Sequence, residues 1–121
     1  MKLTGNFRVV GIEGTRFEGI IRVRMISEGN VEVSMEYPVK AVGVELRQDY
    51  TVNLSIDTEK DPNYRANWDV YMNGMVYYVG NGIVKISIGG LIIDVINYNG
   101  DAKVGERVYV GLKITPSHPE K

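Results

Sequence analysis

Residues Trp68 to Tyr98, WDVYMNGMVYYVGNGIVKISIGGLIIDVINY, contain two turn signals that check each other. Asn81-Gly82 is the preferred pair for a two-residue type I′ hairpin turn, because both central residues there need positive φ. That turn sets Val79 opposite Val84, Tyr77 opposite Ile86 and Met75 opposite Ile88. Gly89-Gly90 closes a second two-residue turn, setting Ile88 opposite Leu91, Ile86 opposite Ile93 and Val84 opposite Val95. The two registers are independent, yet both place Met75, Tyr77, Val79, Val84, Ile86, Ile88, Leu91, Ile93 and Val95 on one face. Nearly all of these are apolar, so the stretch predicts a three-stranded meander with this face turned inward.

The same registers put Tyr78 across from Lys85, Lys85 across from Asp94, and Ser87 across from both Val76 and Ile92. Lys85 and Asp94 form a cross-strand opposite-charge pair worth about 0.2–1 kcal/mol. Val76, Tyr78, Ile92 and Ile96 surround this polar centre. A one-sided sheet in water more often exposes Thr, Lys and Glu, so the mixture points to a docked partner. Scattered apolar surface is also normal on a soluble protein, and this commoner reading stands beside it.

Working outward, Trp68, Val70 and Met72 share a face, whereas the inward parity moves to Met75, Tyr77 and Val79 beyond Gly74. A glycine at a parity change predicts a bulge or a barrel corner, where a strand leaves one neighbour for another. Upstream, Phe7–Ile12 reads as a first strand with Phe7 and Val9 on one face. Ile20–Ser27 alternates cleanly, with Ile21, Val23 and Met25 inward and Arg22 and Arg24 outward. Val31–Glu36 buries Val31, Val33 and Met35. Joining these two apolar faces requires an odd loop, and Glu28-Gly29-Asn30 supplies one, placing Arg22 opposite Glu36 and Arg24 opposite Ser34. Adjacent arginines can contact phosphate, but neighbouring glutamates already partner these two.

Pro38 ends that hairpin, Val42-Gly43-Val44 turns the chain, and Tyr50–Ile56 is a half-buried strand. Asp57–Asn67 is the one long polar segment and reads as a mobile surface loop. Its acids Asp57, Glu59 and Asp61 alternate as calcium ligands would, but the glycine and distant glutamate of a calcium loop are missing. Arg107–Ile114 is a final strand with Val108, Val110 and Leu112 on one face. Residues 1–114 thus form one domain, and 115–121, containing the sole histidine His118 between prolines, form a flexible tail.

The totals narrow the function classes. The 121 residues carry fourteen basic and fifteen acidic side chains, interspersed, for a net charge of −1. A nucleic-acid footprint normally shows as a basic excess or stripe. With no cysteine, disulfides, thiolate nucleophiles and Cys-ligated zinc are excluded. Neither a signal-peptide core nor a membrane-length apolar run occurs, so a soluble, cytoplasmic protein is expected. No nucleophile elbow, phosphate-binding glycine loop or paired metal histidines appear. Gly80-Asn81-Gly82 joins two strands and opens no helix. No catalytic residue, metal ligand or cofactor site is assigned, and no enzyme activity is expected of the chain itself.

About eight short strands, little or no helix and a glycine bend predict an all-β fold, a single OB-like antiparallel β-barrel. The C-terminal half resembles something narrower. Asp69-Val70-Tyr71-Met72-Asn73-Gly74-Met75-Val76-Tyr77, then Ser87-Ile88-Gly89-Gly90-Leu91, then Val104-Gly105-Glu106-Arg107-Val108-Tyr109 resemble, in order, the eighth-subunit family of cellular DNA-directed RNA polymerases. That family has a strand of the form Asp-Tyr-Val-Met-Tyr-Gly-x-Val-Tyr, a Gly-Gly-Leu hairpin and a closing Arg-Val-Tyr strand. Here Asn73 replaces a tyrosine, Val70 and Tyr71 are exchanged in order, and the short connection from Tyr77 to Ser87 is similar to the compact archaeal form.

The resemblance implies a non-catalytic peripheral subunit with an OB-like barrel, docked on the largest polymerase subunit and supporting assembly for DNA-templated transcription. It implies no metal, cofactor, membrane or small-molecule substrate, and contact with nucleic acid only through the complex. On the outer face, Val76, Tyr78, Ile92 and the Gly89-Gly90 hairpin are the expected partner-binding residues, with Tyr71 beside them. The alternative is an independent OB-fold binder of single-stranded nucleic acid, stacking bases on tyrosines beside Arg22 and Arg24. A ligand-holding barrel ranks last, since an interior of Val, Ile, Met and Tyr leaves little room.

Overall fold

Alternating apolar residues give each strand one face to hide. In the computed structural model, which describes residues 1–117, the strands hide it by closing into a barrel. The elements are β1 (Lys2–Gly14), β2 (Ile21–Ser27), β3 (Glu32–Tyr37), α1 (Val39–Val42), β4 (Thr51–Asp57), α2 (Tyr64–Asn67), β5 (Val70–Gly80), β6 (Ile83–Ile88), β7 (Leu91–Ile96) and β8 (Arg107–Thr115). The neighbours run β1-β2-β3-β7-β6-β5-β8-β4 and return to β1, every pair antiparallel. This is the expected all-β, OB-like barrel of eight strands, and the only helices among the described residues are two single turns. The last strand runs through Thr115, while His118 and the rest of the expected tail, 118–121, lie outside the described residues.

Both turn signals of the meander are realised: Asn81 and Gly82 have φ 53° and 76°, and Gly89 and Gly90 have φ 57° and 101°. The β2–β3 loop also behaves as expected, with Asn30 at φ 66° and Arg22 opposite Glu36. Two long strands change partners along their length. The first half of β1 pairs with β4 and its second half with β2, across an irregularity between Val9 and Gly11. Likewise β5 pairs with β8 over Val70–Met75 and with β6 over Met75–Gly80. Such offset pairing is the shear that lets a flat ladder close.

The parity expected for β5 is wrong beyond the turn. Val79 does face Val84 and Tyr78 faces Lys85, but an irregularity between Val76 and Tyr78 then puts Val76 opposite Ile86 and Met75 opposite Ser87. The extra residue is Tyr77, a β-bulge, and it reverses the facing of everything before it. Val76, expected on the docking face, is therefore fully buried, whereas Met75 and Tyr77, expected inside, are exposed; Val79 keeps its expected register opposite Val84 but is exposed near the end of the strand. The bulge sits three residues past Gly74, where the parity change was expected. Gly74 serves close approach instead: a Cβ there would lie 2.7 Å from Ile88 Cγ1.

Inside the barrel, Phe7, Val9, Val23, Met25, Val33, Met35, Val52, Leu54, Ile56, Ile86, Ile93, Val108, Val110 and Leu112 are at most 1 % exposed, with no buried polar residue among the described ones. Each such side chain stabilises the fold by about 1.5–3 kcal/mol relative to exposure. Tyr37 belongs to this core, and its hydroxyl donates to the Val44 carbonyl at 2.6 Å. Burial, with the nearby Asp69 charge second, pushes that phenol up to about 12.

Candidate docking surface on the outer barrel wall

The β5–β6–β7 registers build the outer wall in rows. Tyr78, Lys85, Asp94 and Ser34 form one row, and Met75, Ser87 and Ile92 form the next. Lys85 Nζ lies 3.2 Å from Asp94 Oδ1, the expected pair. Glu36 ties the wall to β2–β3: its Oε1 accepts the Ile92 N–H at 2.9 Å and its Oε2 meets Arg22 Nη2 at 3.2 Å. Tyr78 lies along its own strand over Gly80, where a Cβ would come 2.9 Å from the phenol oxygen.

Of the expected contact residues, Tyr78 and Ile92 therefore share this wall, on neighbouring rows. Gly89 and Gly90 sit exposed at the turn beside it, and Val76 is in the core. Sequence reasoning missed Met75, Tyr77 and Val79, which with Tyr78 are 43 %, 45 %, 40 % and 41 % exposed, respectively. A signal was present: Met75-Val76-Tyr77-Tyr78-Val79 has no polar residue to mark an outer position, as a bulged strand with both sides apolar would read.

Tyr71 lies elsewhere, on the outer face of the β5–β8 pair. Its ring stacks between Tyr64, centroid 5.1 Å away, and Tyr109, 6.1 Å away. Its hydroxyl accepts the Asp61 N–H at 2.8 Å. Asp61 also fastens the segment expected to be mobile, accepting from Asn63 N–H at 2.8 Å and from Asn67 Nδ2 and Trp68 Nε1 at 2.9 Å. The hydrogen bond from Asn67, then those from Asn63 and Trp68, hold its carboxyl below the usual range. Trp68 does not share the inward face of Val70; its indole lies on Gly111, where a Cβ would meet ring atoms at 2.6–2.9 Å. Lys60 and Arg65 approach the Tyr64 ring at 5.2 and 5.7 Å, and the hydrogen bond from Arg65 lowers the Tyr64 phenol below its usual value.

Arg22 and Arg24 are paired at 3.2 Å with Glu36 and Glu32, so the cations proposed for phosphate contact are already compensated. Asp57 is spent on the Glu59 N–H and on Lys2. Among the described residues, no group of three or more His, Asp or Glu side chains is placed to hold a metal ion, and no helix is long and apolar enough to cross a membrane. Open grooves include one of about 220 Å³ between the Asn81-Gly82 hairpin and Tyr98–Gly100. No family model and no curated protein matches the sequence.

Proposed function

We propose that this chain is a non-catalytic docking subunit, and specifically a peripheral subunit of a DNA-directed RNA polymerase held on the largest subunit. One observation carries the docking reading: the uncharged residues Met75, Tyr77 and Tyr78 are exposed on a wall where Lys85 is paired with Asp94 and Arg22 with Glu36, and Val79 is exposed beside them at the end of the strand. Large aromatic and Met side chains without charge are what interface centres collect. The identity of the partner rests on the order and form of the three sequence motifs from Asp69 to Tyr109. Tyr78, Ile92 and the Gly89-Gly90 turn remain contact residues, and Met75 takes the place of Val76.

The test is affinity capture of the tagged full chain from its own cells, in high salt with nuclease, followed by mass spectrometry. The large polymerase subunits are expected at near-equal amounts. Tyr78→Lys and Ile92→Lys are expected to release them while the purified variants keep a cooperative melt. Unchanged capture by both variants would remove this wall from the interface. The single-strand-binding alternative has one favourable observation, the tyrosine column with Lys60 and Arg65. The rings are engaged with each other, however, which leaves few faces for bases. Oligonucleotide affinity that falls steeply with salt would favour that reading.

A further inference from the structure

Shear leaves several strand segments of the barrel paired on one side only, and two of them are chemically opposite. One is Lys2–Asn6 of β1, which pairs with β4 but lies outside the β1–β2 register. It faces a groove of about 710 Å³ lined by Thr4, Asn6, Arg8, Ser27 and Glu28, and Lys2 and Arg8 guard it with charge, as natural edges usually are. The other is Tyr77–Gly80 of β5, which pairs with β6 and lies beyond the β5–β8 register. Val76 is the last residue joined on that side, bonded to Gly105 N–H and Glu106 carbonyl at 2.7 and 3.0 Å. Gly80 and Ile83 flank the two-residue turn and bond each other, so Val79 and Val84 are a non-bonded pair and the Val79 N–H and C=O point away from β6. Among the described residues neither group has a hydrogen-bond partner.

This second edge has no charge and no proline, and the 220 Å³ groove opens beside Val79. Cations stand on its approach: Arg107 pairs in register with Met75 and bonds only Asn73, and Lys103 belongs to the turn that meets Val76. Neither has a carboxylate within ion-pair distance among the described residues. A second copy of this chain would bring its own Lys103 and Arg107 to the same seam, like charge against like. An acidic partner segment would satisfy both.

We propose that the Tyr77–Gly80 edge takes up one extended segment of a different chain as an added strand, apolar against Tyr77 and Val79 and carrying an acidic residue opposite Lys103 and Arg107. The inference rests on the docking reading and specifies its mode: main-chain bonds give affinity, and alternate side chains give specificity.

The test is hydrogen exchange of the full-length chain, free and bound to polymerase from the same cells. The Val79 amide is expected to exchange at least about tenfold more slowly when bound. Val79→Pro, which deletes the outward N–H and also fixes φ at that residue, is expected to weaken capture about tenfold, the worth of one hydrogen bond made in a dry seam, while keeping a cooperative melt, and Val79→Ile is expected to bind normally. Arg107→Glu is expected to weaken capture also. If polymerase is captured and Tyr78→Lys releases it, yet the Val79 amide exchanges as in the free chain, strand addition is wrong and docking stands. If the wild-type chain captures no polymerase, both are wrong. Protection of Val79 in the free chain, with a concentration-dependent dimer, would make the occupant a second copy and overturn the proposal.

Discussion

Gly111 lies under the Trp68 indole with no room for a side chain, so Gly111→Ala must lift the ring or shift β8. A loss of about 1–3 kcal/mol is expected, the usual cost of overpacking, read as a lower denaturation midpoint with a red-shifted tryptophan emission. Tyr37 governs the alkaline limb. Its phenol is raised from 10.0 to about 12 by burial first and by the Asp69 charge second. The unfolded chain therefore loses that proton before the folded one, and the contribution is intact below pH 10 and disappears as pH rises towards 12. Stability is expected to fall by up to about 1.4 kcal/mol per pH unit across that window, and Tyr37→Phe to flatten the slope while costing stability at neutral pH through the unpaired Val44 carbonyl. Val76 carries a different lesson. A charged residue there would unfold the barrel, and lost capture by such a variant would say nothing about docking.

At the scale of elements, turn chemistry proved readable and residue counting did not. Asn81-Gly82 and Gly89-Gly90 fixed their hairpins because positive φ is a local demand on two residues, and the β6–β7 register follows from one of them without error. The β5 register was right for two pairs and then failed, since a single bulged residue inverts a period-2 argument. The unbroken run Met75-Val76-Tyr77-Tyr78-Val79, with no polar residue to mark an outer position, was its visible trace. The segment from Asp57 to Asn67 looked loose because two of its fastenings, Trp68 and Tyr71, lie beyond it in sequence. Asp61 is the hub, held below the ordinary carboxyl range by Asn67 first, so the fastening is complete above that range and is lost as pH falls through the lowered value. Asp61→Ala is expected to speed amide exchange at Asn67 and Trp68 and to admit protease between 58 and 67, with barrel amides unchanged.

At the scale of the molecule, the closed ring follows from pairings that no local signal announces. β3 joins β7 and β4 joins β8 through strands far apart in sequence, and only the inward apolar rows of each, such as Val33 and Met35 against Val95 and Ile93, hint that they want cover. Alternation was enough to predict an all-β barrel of eight strands but not the order of the staves. The candidate wall was legible to the same degree: Tyr78 and Ile92 emerged from the hairpin registers, while the unpaired edge beside them depends on where β8 begins. β8 is last in the order of elements yet sits between β4 and β5 in the ring. Until Arg107–Thr115 has been synthesised, two inner strands stand with bare backbone edges and the apolar rows have no enclosure. Folding therefore cannot advance strand by strand with translation. It waits for the final stave, and a ring made of such distant contacts closes on the slow side of the range for domains of this size, in milliseconds to seconds.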